Sequence, residues 1–234
     1  MKPSFPYKAV LLYGAVLLVL SGALPARAAD GKTVVRALET ALRAKIKSPN
    51  GTLKISVKPS ARAGEGYFSE IKISARPAQI KKFRFSELAL TARDVRIDVN
   101  KLLRNQEIIT LQTKTQLRAK VSEADLTRVL AQGKSTAPLS LKVKFLKDRI
   151  RIAGNWNWTW FRGPVVGVGK LRVASSQLYF DLISLRLNNR EVPSALRDKV
   201  DARLNPILDY RDLPFQPRFR AVKFNGSSAT IMAY

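Results

Sequence analysis

The 234-residue chain has no cysteine and no histidine. Without cysteine there is no disulfide scaffold, no lipid attachment through an N-terminal cysteine, no thiolate nucleophile and no soft metal site. Without histidine the commonest general base and the commonest transition-metal ligand are missing as well. Acid is scarce, with 17 Asp and Glu against 42 Lys and Arg, a formal charge of +25. Ser-Lys and paired-carboxylate mechanisms survive these absences, but no G-x-S-x-G, no S-x-x-K at a helix start and no Gly-rich phosphate loop is present. The acids are scattered: Asp94 and Asp98 flank a strand pattern, while Asp198, Asp201, Asp209 and Asp212 gather near a helix. Capping and charge pairing explain the latter group more economically than a metal does. The expectation is a protein that is no enzyme, with no cofactor and no metal.

What is present starts with a three-part N-terminal pattern. Lys2 and Lys8 precede the apolar run AVLLYGAVLLVLSGAL over residues 9–24, and Ala26 and Ala28 follow at the positions a signal peptidase reads. This predicts a secretory signal over residues 1–28, cut between Ala28 and Ala29. The run is shorter than the roughly 20 residues that span a bilayer, which favours cleavage over the alternative of a permanent anchor. Residues 29–234 are then long enough for one domain with a core of its own. Lys2, Lys8 and Arg27 belong to the leader, so the mature chain keeps 39 basic and 17 acidic residues, a formal +22. For an exported protein this charge points to anionic lipid headgroups or acidic polymers, with a periplasmic or other extracytoplasmic location. Single-stranded nucleic acid stacked on aromatics is the rival, and export argues against it.

Hydrophobic periodicity predicts an α+β protein. Val34, Val35, Leu38, Ala41, Leu42 and Ile46 recur at helical spacing over residues 32–47, and Pro49, Asn50 and Gly51 stop that helix. Period-two patterns follow at Leu53, Ile55 and Val57, at Ile71 and Ile73, at Phe83 and Phe85, and from Leu88 to Val99; the parity slips between Phe85 and Leu88 as at a β-bulge. Residues 107–121 put Leu111, Leu117, Ala119 and Val121 on one face and Gln112, Lys114, Gln116, Arg118 and Lys120 on the other. Ser122 with Asp125 opens a second helix over residues 122–132, whose stripe is Leu126, Val129 and Leu130. Strands follow over 139–146, 149–160, 165–174 and 177–187. A third helix from Pro193 carries Leu196, Val200, Leu204, Ile207 and Leu208 on one side, and strands over 217–224 and 228–233 close the chain. Residues 64–66 and 133–138 read as loops.

Many consecutive strands with short connections indicate a long, curved, mainly antiparallel sheet wrapped around helices in a single domain. A 15-residue strand spans roughly 50 Å, beyond the usual five or six residues. An elongated apolar interior would shelter an acyl chain lengthwise, a single leaflet being about 15 Å deep in hydrocarbon. A fully packed core is the equal alternative.

The sequence NWNWTWF at 155–161 holds all three tryptophans. Trp156, Trp158, Trp160 and Phe161 form an aromatic stripe running to a tip at residues 161–164, suited to a headgroup boundary. Packing of Trp156 and Trp158 on the core, like Ile150 and Ile152, is the plainer alternative. Together with Leu126 and Leu130 these aromatics are candidate lipid contacts. Lys142, Lys144, Arg149, Arg151, Lys170 and Arg172 fall on outward strand positions and are candidates for an anionic headgroup or surface.

The succession VSEADLTRVL, strands with a basic outer face, then NNREVPSALRDKVDARLNPILDYRDLPFQPRFRAVKF resembles the LmeA-like phospholipid-binding family of bacterial envelope proteins. The matching positions are Ser122, Glu123, Asp125 and Leu126, then Pro193 and Leu196, then Asp212, Leu213, Pro214 and Phe215. The resemblance spans about residues 32–233. It implies a fold similar to the bactericidal-permeability and tubular lipid-binding proteins, and phospholipid as the partner at a membrane surface. Its motifs are turns and apolar positions rather than catalytic signatures, and the high basicity is not a trait the resemblance supplies.

Overall fold

The computed structural model describes residues 29–131, 141–158, 161–175 and 177–234, without the side chains of 131, 156–158, 161–162 and 203. The first helix, α1 (Gly31–Lys45), buries Val34, Leu38, Ala41 and Leu42, the i, i+4, i+7, i+8 set of one helical face. Fully burying each large member of that set contributes roughly 1.5–3 kcal/mol before entropy is counted. At Ile46 the backbone turns extended and the short β1 (Ile46–Lys47) begins.

Six antiparallel strands make the first sheet: β2 (Thr52–Pro59), β3 (Tyr67–Arg76), β6 (Glu87–Ile97), β7 (Thr110–Ser122), β14 (Phe219–Asn225) and β15 (Ser228–Ala233), in the order β14-β15-β7-β6-β3-β2. Their inner side carries Phe68, Ile71, Ile73, Leu88, Leu90, Leu117, Ala119, Val121 and Ile231, all buried, in one cluster with α1. A second sheet runs β12-β11-β10-β9-β8, built from β8 (Lys142–Phe145), β9 (Ile150–Trp158), β10 (Phe161–Ala174), β11 (Gln177–Leu187) and β12 (Arg190–Glu191), with β13 (Leu208–Asp209) also pairing β11. β4 (Ala78–Ile80) and β5 (Phe83–Phe85) join β1 in a small third sheet. The large sheets are antiparallel and one curls strongly into a half-barrel, so the α+β class with a curved sheet stands.

The two large sheets touch at their edge strands β8 and β14. The Phe145 ring of β8 lies edge-on to the Phe224 ring of β14, with centroids 5.6 Å apart. Two further helices sit at strand ends. α2 (Val99–Asn105) is capped by Asp98, whose carboxylate accepts the Lys101 N–H at 3.0 Å. α3 (Glu123–Ala131) is capped as expected: Asp125 accepts the Ser122 N–H and hydroxyl, and Ser122 Oγ accepts the Asp125 N–H.

Several sequence expectations need correction. The strands form two large sheets and one small one rather than a single sheet, around one continuous hydrophobic cluster. The parity slip after Phe85 is no bulge: β5 and β6 belong to different sheets, and the chain crosses between them at Ser86, whose N–H donates to the Lys120 carbonyl. A true irregularity sits at Asp94, in the left-handed region at φ 51°. Val99, read as strand, starts α2 instead, because the Asp98 cap competes successfully with the extended pattern. Leu111 does not share the buried face of Leu117, since the register with β6 shifts near Ile97 and leaves Leu111 55% exposed.

Candidate functional site

The third predicted helix is α4 (Ser194–Leu204), shorter than expected. Pro206 disfavours helical backbone at the residue before it, so Asn205 is already extended at φ −106°, ψ 147°. Ile207 and Leu208 therefore leave the helix, and Leu208 pairs with Leu178. Leu196, Val200 and Leu204 are only half-buried, and α4 packs chiefly on β11.

Three side-chain bonds fasten α4 to that strand. Asp201 Oδ1 accepts the Leu182 N–H at 2.9 Å, Asn205 Oδ1 accepts the Phe180 N–H at 2.7 Å, and Asn205 Nδ2 donates to the Phe180 carbonyl at 2.9 Å. One turn of helix thus occupies the stretch of β11 edge between its pairings with β13 and β12. β11 is bulged opposite Val168 and Gly169, which leaves Ile183 unpaired and 43% exposed. Below the bulge, Asp209 accepts from Gln177 Nε2 at 2.7 Å and from Arg211. The Arg211 guanidinium holds the Asp209 carboxyl well below the usual carboxylate range, outweighing its desolvation.

Beneath α4 is a cavity of about 60 Å³. Its walls are Ile152, Val165, Gly167, Phe180, Leu182 and Leu185 of the second sheet, its roof Val200 and Leu204, and its far side Leu130 and Leu141. Every lining residue is apolar, and a cavity of that chemistry stays dry. Two glycines shape it. A side chain at Gly169 would meet the Phe180 ring at 2.5 Å, so glycine there lets the ring lie across β10. A Cβ at Gly167 would come 3.2 Å from Leu182 Cδ1, so glycine there keeps the floor open. At 60 Å³ the cavity is far below the roughly 300–1,000 Å³ of occupied ligand pockets.

The opposite face of the same sheet is cationic. Lys144 stands opposite Arg151 and Lys142 opposite Ala153, and Val166 and Val168 continue those rows half-exposed. Arg149 and Lys170 share Asp148 at 3.7 and 3.5 Å, and Arg172 bonds Asp181, which raises the guanidinium pKa. Among the described residues Lys142, Lys144 and Arg151 have no acidic partner.

All six candidate cations therefore belong to this one sheet, on the side away from the cavity or at its β8–β9 turn. Leu126 and Leu130 are buried in α3, and of the two only Leu130 lines the cavity. Trp156 is paired with Gly163 and Trp158 with Phe161, so residues 161–164 form the start of β10 and not the tip expected for them. The side chains of Trp156, Trp158 and Phe161, and Trp160 entirely, lie outside the described residues. Sequence reasoning missed Gly167, Phe180, Leu182, Leu185 and Asn205. The available signals were the G-V-G run inside a strand, where glycine marks a close approach, and an Asn placed directly before a proline.

Among the described residues no group of acids is arranged to hold a metal ion, and no helix is long and apolar enough to cross a membrane. No curated protein and no solved structure matches the chain. One family model does match, over residues 25–233 and so through both large sheets, α4 and the 212–215 turn. The chain belongs to the LmeA-like phospholipid-binding family.

Proposed function

We propose that the protein is an exported, non-catalytic phospholipid binder or carrier of the bacterial cell envelope, acting at an anionic membrane surface from the periplasmic or equivalent side. The observation that carries this reading is the wholly apolar cavity roofed by a helix whose apolar residues are only half-buried and which Asp201 and Asn205 bond to β11. Swinging α4 outward exposes Ile152, Val165, Leu182 and Leu185 together, a strip able to accept an acyl chain along β10 and β11. The cationic face with Lys142, Lys144 and Arg151 keeps the protein at an anionic surface while exchange takes place. The N-terminal pattern supports export, and the acids Asp98, Asp125, Asp201 and Asp209 are engaged in caps and hydrogen bonds, which supports a role without catalysis.

The small closed volume favours one rival, a solid basic protein that rests on membranes or acidic polymers by charge alone. Native mass spectrometry of the mature protein separates the two. A co-purified or titrated phospholipid mass is expected at one per chain; failure to take up lipid from vesicles at low salt would overturn the carrier reading and leave the rival.

A further inference from the structure

The first sheet carries a second cationic face, separate from that of the second sheet. The buried sides of both large sheets contribute to one hydrophobic cluster, and the exposed side of each carries its cations. On the outer face, strand register sets Lys54, Ser74, Ala89 and Arg118 in one row across β2, β3, β6 and β7. With neighbouring strands about 4.8 Å apart, Lys54 and Arg118 stand about 14 Å from each other. The small residues between them leave a trough. A depression of about 290 Å³ lies at the Lys54 end of that row, lined by Lys54, Ser56, Lys72, Ser74, Ala89 and Thr91 together with Ile55, Ile73 and Leu90, and Arg118 continues the row beyond it. Glu70 engages Lys72 and Arg93, and Glu87 engages Arg76. Among the described residues Lys54 and Arg118 keep no acidic partner.

We propose that this trough binds a linear polyanion, lying across the strands from Lys54 to Arg118. Charge complementarity, hydroxyl donors from Ser56, Ser74 and Thr91, and the absence of a large apolar side chain along the row select that occupant. A bilayer is the poorer fit, because the trough offers nothing to insert. The face of the second sheet differs, presenting Val166, Val168 and the exposed Ile183 among its cations. The chain is thereby two-sided, with lipid at one sheet and polyanion at the other. The lipid half of that statement rests on the proposed function; the polyanion site does not.

The test titrates the mature protein with long-chain polyphosphate and, separately, with phosphatidylglycerol-containing vesicles. Lys54→Glu/Arg118→Glu is expected to weaken polyphosphate binding at least about tenfold and leave vesicle binding within about twofold. Lys144→Glu/Arg151→Glu is expected to do the reverse. The milder Lys54→Gln/Arg118→Gln pair decides if the charge-reversed chain does not fold. It is expected to lower the dependence of log affinity on log salt by about one unit or more, as two lost cation contacts require. The proposal is overturned if the Lys54/Arg118 variants bind polyphosphate like wild type, if both charge-reversed pairs lose it equally, or if the Lys54/Arg118 variants lose vesicles instead. Absence of lipid uptake with polyphosphate binding intact would sink the carrier reading alone.

Discussion

The side-chain amide of Asn205 engages both main-chain polar groups of Phe180, accepting from its N–H at 2.7 Å and donating to its carbonyl at 2.9 Å. It forms a two-bond pair of the kind an antiparallel strand would make, but from the end of a helix. Asn205→Ala removes both bonds and leaves the Phe180 groups without that partner. A loss of roughly 1–3 kcal/mol is expected, together with faster lipid exchange between donor and acceptor vesicles. Asn205→Asp keeps the acceptor for the Phe180 N–H but sets a carboxylate oxygen against the Phe180 carbonyl and against Asp201 Oδ2, which Asn205 Nδ2 reaches at 3.2 Å, so it should be no more stable than Asn205→Ala in a denaturant titration.

Filling the cavity should separate binding from folding. Gly167→Val places its methyls where the roof residues Val200 and Leu204 face the sheet, and the near contact at 3.2 Å is the flexible end of Leu182. Overpacking of about 1–3 kcal/mol is expected, with lipid uptake lost and the circular-dichroism spectrum unchanged. Undiminished lipid uptake by a folded Gly167→Val protein would move the acyl site elsewhere.

At a membrane, each Lys or Arg held near an anionic surface contributes about 1 kcal/mol. Neutralising Lys144 and Arg151 to Gln should therefore weaken vesicle binding roughly thirtyfold in a sedimentation assay. Arg172→Gln should do less, because Arg172 is already committed to Asp181. The difference between wild type and variant should shrink as salt rises.

Acid should loosen the β11 edge. The Asp209 carboxyl has its pKa lowered in the folded protein, first by the hydrogen bond from Arg211. Its stabilising contribution is thus complete above the unfolded carboxylate pKa of about 3.9 and is lost as pH falls below that value toward the folded pKa. Thermal melts between neutral pH and about pH 3 should show a steeper fall for wild type than for Asp209→Asn. At neutral pH the Asn variant should melt about 2–4 °C lower, the shift expected for about 1 kcal/mol in a chain of this size.

Legibility in the sequence followed the range of the interaction concerned. α1 and α3 were readable because their apolar stripes and the Ser122–Asp125 cap are local. Alternation located the inner and outer faces of β3, β6 and β8, and with them the cations of the second sheet. Partition into two large sheets was not readable, because alternation shows which side of a strand is apolar and not which strand it joins. Phe85 and Leu88 illustrate this: two residues separate them, and a change of sheet accounts for the altered parity. The helix end at Asn205 could have been placed from Pro206 alone. The cavity was beyond reach, since it depends on Gly167 of β10 and Leu204 of α4 lining one space, which tertiary packing sets.

Fastening α4 by Asp201 and Asn205 also makes the closed state separately adjustable. A helix held by a broad apolar seam would share its stability with the core, and loosening one would melt the other. In the proposed opening, α4 would give up three polar bonds that water can replace and the half-buried contacts of Val200 and Leu204, none of which belongs to the ladder between β10 and β11. On the proposed function, substitutions at Asp201 or Asn205 would retune how long a lipid resides while altering the scaffold's own ladder little.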